Sequence, residues 1–200
     1  MSPGTHLLAS WIVAVKTTDN PHDCRLVALA GILPDADGLG LVADIVKGWW
    51  THTEPTYRYY QQYHHYLWHG APAAFLTAAL LACLARRRGR VAILALVVFH
   101  LHLLCDLIGS RGPAPEDLWP IFYFAPFSLH PMWIWKGQWQ LYGWQNQAIS
   151  VVLLLWALWI SSGRKDSFVG VFSRRLDGIF LAVLHKWRAA ATTDSSTERG

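Results

Sequence analysis

Blocks of apolar residues separated by short polar segments form the main pattern of this chain. Two short blocks lie near the amino terminus, from Thr5 to Val15 and from Arg25 to Leu33. Each predicts a helix that is too short to cross a bilayer, which takes about 20 residues. The second helix is expected to stop at Pro34, because a residue that precedes proline is disfavoured in helical conformation.

Longer apolar blocks follow and predict membrane segments at Ala71–Ala85, Val91–Ile108 and Ala148–Ile160. Residues 168–187 mix basic and apolar side chains, which favours either an amphipathic helix on an anionic surface or a fourth, imperfect span. The pattern therefore predicts an all-α integral membrane helical bundle with three to four membrane segments and short N-terminal helices. We expect one domain over residues 1–188 and a disordered, small and polar tail over 189–200.

Composition supports a membrane protein. Only 15% of the residues are charged, against about 25% in ordinary soluble domains, and the chain contains 12 tryptophans. The aromatic segments Val42–Tyr66 and Gly109–Gln147 are expected at the membrane–water interface, the second as a cap or lid. The net charge is +4, but no basic stripe with interleaved aromatic residues indicates nucleic-acid binding. The oligomeric state is left open.

The basic residues predict an orientation in the membrane. Four arginines lie in the short turn 86–90, between two apolar blocks, and the third block ends at Arg164 and Lys165. Positive charge favours the cytoplasmic side, so we expect a multi-pass membrane protein with both clusters in the cytoplasm. The opposite ends of the apolar blocks, and any site built there, would face outward.

His102 and Asp106 are the first candidate functional pair. Residues four apart share one face of a helix, so these two side chains are expected to point the same way. A polar side chain in a membrane helix costs about 2.5–3.5 kcal/mol on insertion scales, which calls for a reason. Metal binding is one reason, and a hydrogen-bonded packing pair is the alternative.

Further candidates lie at the edges of the apolar blocks. Asp35 and Asp37 are expected to project to the same side of an extended or turning segment, unless they belong to a solvated turn. His64, His65 and His69 fall within six residues, which favours metal binding over isolated roles. Cysteines 24, 83 and 105 stand alone without a CxxC spacing and are expected to be small apolar residues, so a cysteine-based zinc site is not predicted.

The complete candidate set contains histidine and aspartate and no cysteine, as in hydrolytic zinc or manganese centres. In such centres the imidazoles hold the metal, while a carboxylate bridges metals or accepts a proton from a bound water. The metal makes hydroxide available near neutral pH. The candidate residues are His6, Asp35, Asp37, His64, His65, His69, His102 and Asp106.

In four blocks the sequence resembles the bacterial membrane-bound, metal-dependent hydrolases of the LexA-regulated inner-membrane type, which are remotely similar to zinc-dependent phospholipase C. The blocks follow the order of that family over about the first 120 residues. They are His6-Leu7-Leu8, Leu33-Pro34-Asp35-Ala36-Asp37, His64 to Gly70, and His102 to Asp106 with Gly112 and Trp119-Pro120.

The third block departs from the family pattern of His-Arg-x-x-Thr-His-Ser. His65 replaces the usual Arg, Trp68 the usual Thr and Gly70 the usual Ser, which puts the substrate in doubt. The family register implies His64 and His69 as ligands, whereas helical spacing would select His65 and His69. His100 and His130 have no counterpart in the four blocks, and we interpret them as packing or interfacial residues.

The resemblance implies a membrane-bound metal-dependent hydrolase that uses a metal-activated water on a phosphoester or lipid-derived substrate. His6, His64, His69, His102 and Asp106 would bind divalent ions, zinc or alternatively manganese. Asp35 and Asp37 would supply a bridging ligand and the catalytic base. The expected partners are the lipid bilayer and a small-molecule or lipid substrate. Two alternatives are a haem-binding electron carrier, with His100 or His102 as axial ligand, and a metal transporter or non-catalytic scaffold.

Overall fold

The computed structural model describes residues 1–54, 58–64 and 66–197, and in this part of the chain the fold is mostly helical. Its elements are α1 (Pro3–Thr17), α2 (Pro21–Ala30), a first 3-10 helix (Leu33–Leu39), α3 (Gly40–Thr51), α4 (Arg58–Tyr63), α5 (Ala71–Leu84), α6 (Arg88–Gly109), β1 (Ile121–Phe122), β2 (Met132–Trp133), α7 (Trp144–Ser161), a second 3-10 helix (Phe168–Val171) and α8 (Arg174–Thr197). The predicted helical class is confirmed. The β structure among the described residues is a small antiparallel hairpin, in which Ile121 pairs with Trp133, and an isolated bridge between Arg111 and Gln140.

Both predicted N-terminal helices are present and pack into the core against α6. The predicted end of the second helix at Pro34 is wrong, because α2 ends at Ala30 and Pro34 lies in the first turn of the 3-10 helix Leu33–Leu39, where its missing backbone donor is tolerated. Ser2 caps α1, since its hydroxyl accepts a hydrogen bond from the Thr5 nitrogen at 3.3 Å. Trp11 of α1, Val27 of α2 and Val98 of α6 are buried in the same apolar cluster. Burial of these side chains packs α6 against both short helices.

A buried carboxylate at the start of α2 holds the basic turn between α5 and α6. The two Asp23 oxygens accept hydrogen bonds from the backbone nitrogens of Arg86 and Arg87, at 2.9 and 3.0 Å. These bonds satisfy backbone donors near the start of α6, which lack partners inside the helix. The arginine side chains of this turn are exposed.

Only α6 among the described helices is both long and apolar enough to cross a membrane by itself. Its 22 residues give a length of about 33 Å, compared with a hydrocarbon core of about 30 Å. A second span is obtained if α2 and the segment 33–51, which meet at a bend of 51°, are counted together. By length and composition, one or two of the described segments therefore qualify, because α5 has 14 residues and the first turn of α7 is polar. The predicted three to four spans are not confirmed.

At the carboxyl terminus, α8 continues to Thr197. Its backbone is thus helical in part of the tail for which composition predicts disorder. The division of the chain at residue 188 stays a prediction.

Candidate metal centre

The predicted pair on α6 lies inside the protein. His102 and Asp106 are both buried, and His102 Nε2 lies 3.0 Å from Asp106 Oδ2. The shared helix face expected from the four-residue spacing is confirmed.

A backbone carbonyl orients the His102 ring. Its Nδ1 donates a hydrogen bond of 2.8 Å to the carbonyl oxygen of Gly31, so Nε2 faces the site. Metal-binding histidines commonly have such a partner on their second ring nitrogen. Gly31 allows the close approach of α1 and α2, because a Cβ atom there would lie 2.3 Å from the Ser10 Cβ.

Helix α1 brings a second histidine to the same carboxylate. His6 Nε2 lies 3.1 Å from Asp106 Oδ1, and the His6 ring stacks on the His102 ring with centroids 3.7 Å apart. Ser110, one turn after Asp106, donates a hydrogen bond of 2.9 Å to Oδ1. The Met1 nitrogen also contacts Oδ1. Asp106 is therefore surrounded by polar groups from two helices.

The first 3-10 helix separates the two acidic residues that were expected to point the same way. With three residues per turn, positions two apart point in different directions, so that expectation is wrong. Asp35 Oδ1 approaches His102 Nε2 at 3.8 Å and joins the group around Asp106. Asp37 is directed to the other side and joins His64 and His69.

Asp37 is the centre of this second group. Its Oδ1 accepts a hydrogen bond from His64 Nδ1 at 2.7 Å, and its Oδ2 accepts one from His69 Nδ1 at 2.9 Å. The Trp68 backbone nitrogen donates to Oδ2 at 3.1 Å. The buried carboxylate of Asp44 in α3 accepts the backbone nitrogens of Tyr59 and Tyr60, and so holds α4, which leads into His64.

His69 connects the two groups. Its Nε2 lies 3.3 Å from His102 Nε2 and 3.6 Å from Asp106 Oδ2. Burial by itself would lower the pKa of His69, but hydrogen bonds and charge from Asp106 and Asp37 outweigh that effect and raise the pKa to about 9. In the absence of a metal the ring therefore carries a proton at neutral pH.

All seven residues predicted as ligands fall into these two groups, within each of which one ligand atom per residue lies within 4.8 Å of the others. One group contains His6, Asp35, His102 and Asp106, and the other contains Asp37, His64 and His69. His65, the alternative to His64, lies outside the described residues. His100 belongs to neither group, since its Nδ1 donates to the Leu96 carbonyl at 2.8 Å and its Nε2 lies 2.9 Å from the Tyr123 hydroxyl. His130 lies in an exposed loop.

The donor set fits divalent cations. Since His102 Nδ1 is a donor to Gly31, the Nε2 of the neutral ring presents a lone pair to the Asp106 carboxylate, and a proton or a cation must lie between them. Two nitrogens bound to one tetrahedral zinc at about 2.0–2.1 Å are about 3.3–3.4 Å apart, which matches the distance between His69 and His102 Nε2. Asp35 Oδ2 is buried and has no hydrogen-bond partner among the described residues.

A cavity of about 550 Å³ opens beside the two groups. Asp35, Asp106 and His64 reach its wall, together with Tyr60 and Trp119. Sequence reasoning assigned no role to two further wall residues, Ser110 and Asn146. The Asn146 amide donates to the carbonyls of Gly109, Gln140 and Leu141 at 2.7–3.0 Å, which joins the end of α6 to the start of α7. In the sequence, the only indication of this capping role is an amide residue two positions before the apolar run that starts at Ala148.

The fold and the site define a class: a helical protein with an apolar, membrane-length helix and a buried group of histidines and aspartates near one end of it. The family model described as YdjM inner membrane protein matches residues 1–171, so the chain belongs to the YdjM inner membrane protein family. This confirms the predicted inner-membrane family and an association with the lipid bilayer. No curated protein and no solved structure gives a significant match. The remote similarity to phospholipase C gains no support and stays a prediction.

Proposed function

We propose that this YdjM family member is a membrane-bound hydrolase that depends on divalent metal ions, zinc or manganese, and cleaves phosphoesters. The observation that supports it is the meeting of seven histidines and aspartates, from separate segments of the chain, beside a cavity of about 550 Å³. A buried group of this composition that borders a cavity is suited to binding metal and substrate together. The reaction class itself rests on the resemblance of the four sequence blocks.

His6, His102, Asp106 and His69 would hold one ion through the atoms that face each other, with Asp35 at its cavity side. Asp37 and His64 would hold a second ion or orient His69 through its Nδ1. Asp35, Asp37 and Asp106 bring three carboxylates into this region, and divalent cations would neutralise their negative charge. When bound, such an ion lowers the pKa of a water molecule toward about 7 and withdraws charge from a phosphoryl oxygen.

The two aspartates proposed for catalysis have different surroundings, and Asp35 suits the role of general base better. Its side chain is 19% exposed, it borders the cavity, and one of its oxygens has no hydrogen-bond partner in the described part of the chain. Asp37 is buried, and both of its oxygens accept hydrogen bonds. Asp35 would take the proton from the attacking water, while Asp37 positions His64 and His69.

The cavity wall also limits how a phosphate group can be bound. No lysine or arginine occurs among the described residues that line it. The negative charge of a phosphoester would therefore be neutralised by bound cations, with the Ser110 and Asn146 side chains as further polar groups on the wall.

The rival functions fit the geometry less well. A haem with His102 as axial ligand would have to displace the stacked His6 ring, and both nitrogens of His100 already have partners. A transporter needs polar groups along its path, yet between Val91 and Phe99 the helix α6 contains only apolar residues.

We further propose the membrane arrangement that the sequence predicts, with α5, α6 and α7 crossing the bilayer and α8 on the surface or as a fourth segment. The outward sides of α5 and α7 support this, because Phe75, Leu80, Leu155 and Trp159 are exposed apolar side chains. The arginine turn begins α6 and the candidate metal centre lies near its other end, which would place the centre toward the outer face.

Metal analysis combined with a phosphodiester assay tests the proposed function. We expect the purified protein to hold zinc or manganese, to lose turnover when a chelator removes the metal, and to regain it on replacement. Asp35→Asn is expected to lower kcat by about 10²–10⁴-fold, as for loss of a general base. Turnover that survives both metal removal and Asp106→Asn would contradict the proposal.

A further inference from the structure

The wall of the cavity combines polar and apolar side chains. Asp35 and Asp106 contribute carboxylates, and Leu39, Leu41, Leu141 and Tyr142 contribute apolar surface. Two of these wall residues are strongly exposed, Tyr142 at 85% and Leu39 at 65%. The cavity therefore opens to the surface between residues 39–41 and 141–142.

Helix α3 extends this apolar opening along the surface. Val42, Ile45, Val46, Trp49 and Trp50 lie on one side of the helix and are exposed, and the two tryptophans are 75% and 78% exposed. The other side of the helix packs on α4 through Asp44. An amphipathic helix of this kind, with tryptophans near its end, is typical of helices that lie in the membrane interface.

The depth at which the cavity would lie in the bilayer is consistent with a ligand that comes from the membrane. Helix α6 is about as long as the hydrocarbon core is thick, so Asp106 and Ser110, near its carboxyl end, lie near the boundary between acyl chains and head groups. Both residues reach the cavity wall. A lipid head group would thus meet the candidate metal centre without leaving the bilayer.

We propose that the substrate is a membrane phospholipid whose head group enters the cavity laterally, between residues 39–41 and 141–142. Its acyl chains stay in the bilayer beside the exposed side of α3. The volume of about 550 Å³ is within the range of ligand pockets and suits a phosphate-containing head group rather than a whole diacyl lipid. This inference rests on the proposed hydrolase function and specifies its substrate class.

Two substrates that contain the same phosphodiester, one in a membrane and one in water, distinguish entry from the bilayer from the hydrolysis step. Phosphatidylglycerol in nanodiscs is compared with the deacylated, water-soluble glycerophosphoglycerol, using the metal-loaded full chain. We expect kcat/KM to be at least tenfold higher for the lipid.

Leu39→Glu places a charge at the opening and should reduce the ratio of lipid to soluble turnover about tenfold or more. Phe172→Glu is the matched control, because Phe172 is equally exposed and is not part of the cavity wall, and it should keep the ratio.

A second measurement requires no turnover. Phosphatidylglycerol with a photoreactive group near the glycerol is added to nanodiscs that contain the protein, and labelled peptides are identified by mass spectrometry. Labelling at 39–41 and 141–142 supports lateral access of the lipid. If no phosphodiester is cleaved in the same sample, the proposed hydrolase function is contradicted while lateral access is still supported. Equal turnover of both substrates with no labelling at the opening overturns the lipid proposal and leaves the hydrolase intact.

Discussion

For His102 and His69, the contact made by one ring nitrogen determines where the other ring nitrogen points. His102 uses Nδ1 on the Gly31 carbonyl and His69 uses Nδ1 on Asp37, so both rings direct Nε2 to the same place. His100, two residues before His102, is bonded on both nitrogens to other groups. Two histidines that look equivalent in the sequence therefore have different capacities to bind metal.

Replacing each of these two histidines by glutamine, one at a time, provides a matched comparison. We expect His102→Gln to lower metal affinity by more than the about 10–100-fold that loss of an outer hydrogen-bond partner costs, because a direct ligand is removed. His100→Gln should keep the full metal content. The metal-to-protein ratio by elemental analysis, after dialysis against a weak chelator, measures both. Equal loss in the two variants would contradict the assignment.

Metal affinity is also expected to depend on pH. Histidine must lose its proton to bind a metal ion, and in the metal-free protein the pKa of His69 is raised to about 9. Between pH 6 and 9 the proton competes with the metal, so affinity should rise with pH by about tenfold per unit for each proton released. Zinc titration against a competing chelator at several pH values measures this slope. A flat profile would show that His69 is not a ligand.

At the scale of elements, short connections place the ligands. His64 and His69 both reach Asp37. The next residue, Gly70, lies against the hairpin, where a Cβ atom would be 2.8 Å from the Tyr123 carbonyl oxygen. The usual Ser of the family block would not fit here without a shift of this backbone. The departure at Gly70 is thus coupled to the position of the backbone at residues 122–125.

Gly70→Ala is therefore expected to destabilise the protein by about 1–3 kcal/mol, as overpacking against rigid backbone does. Gly89→Ala is the control, since no atom lies within 4 Å of a Cβ at that position in α6, and alanine favours a helix. Thermal unfolding in detergent should give a lower Tm for the first variant and an unchanged or higher Tm for the second. A Tm for Gly70→Ala equal to that of the unmodified chain would contradict the close packing of the loop.

At the scale of the molecule, α6 relates the arginine turn to the candidate metal centre. Arg88 begins the helix, and Asp106 and Ser110 lie near its other end. If α6 crosses the bilayer, these two features lie at opposite membrane surfaces. The positive-inside rule then places the centre at the outer face.

Reporter fusions test this topology. A reporter that is active only in the cytoplasm should be active when fused after Arg88 and inactive when fused after Ser128, in the exposed loop beyond α6. A reporter that is active only outside the membrane should give the opposite pattern. The same compartment for both fusions would mean that α6 does not cross.

Local periodicity was enough to predict several parts of this protein. The sequence by itself determined the two short N-terminal helices, the apolar helix α6, and the common face of His102 and Asp106, because helix geometry relates residues a few positions apart. It also determined which side chains to examine, since histidine and aspartate at the edges of apolar blocks are uncommon. The family that these blocks resemble is the one to which the chain belongs.

Only the tertiary structure decided how these residues meet. It separated Asp35 from Asp37 into adjoining groups, directed His69 to both, and gave roles to the Gly31 carbonyl, Asn146 and Asp23. These contacts join residues tens of positions apart, and they depend on how α1, α2 and α6 pack, which no local pattern encodes. For the same reason the apolar blocks by themselves did not determine how long each helix is, since helix ends are set by caps and by neighbouring segments.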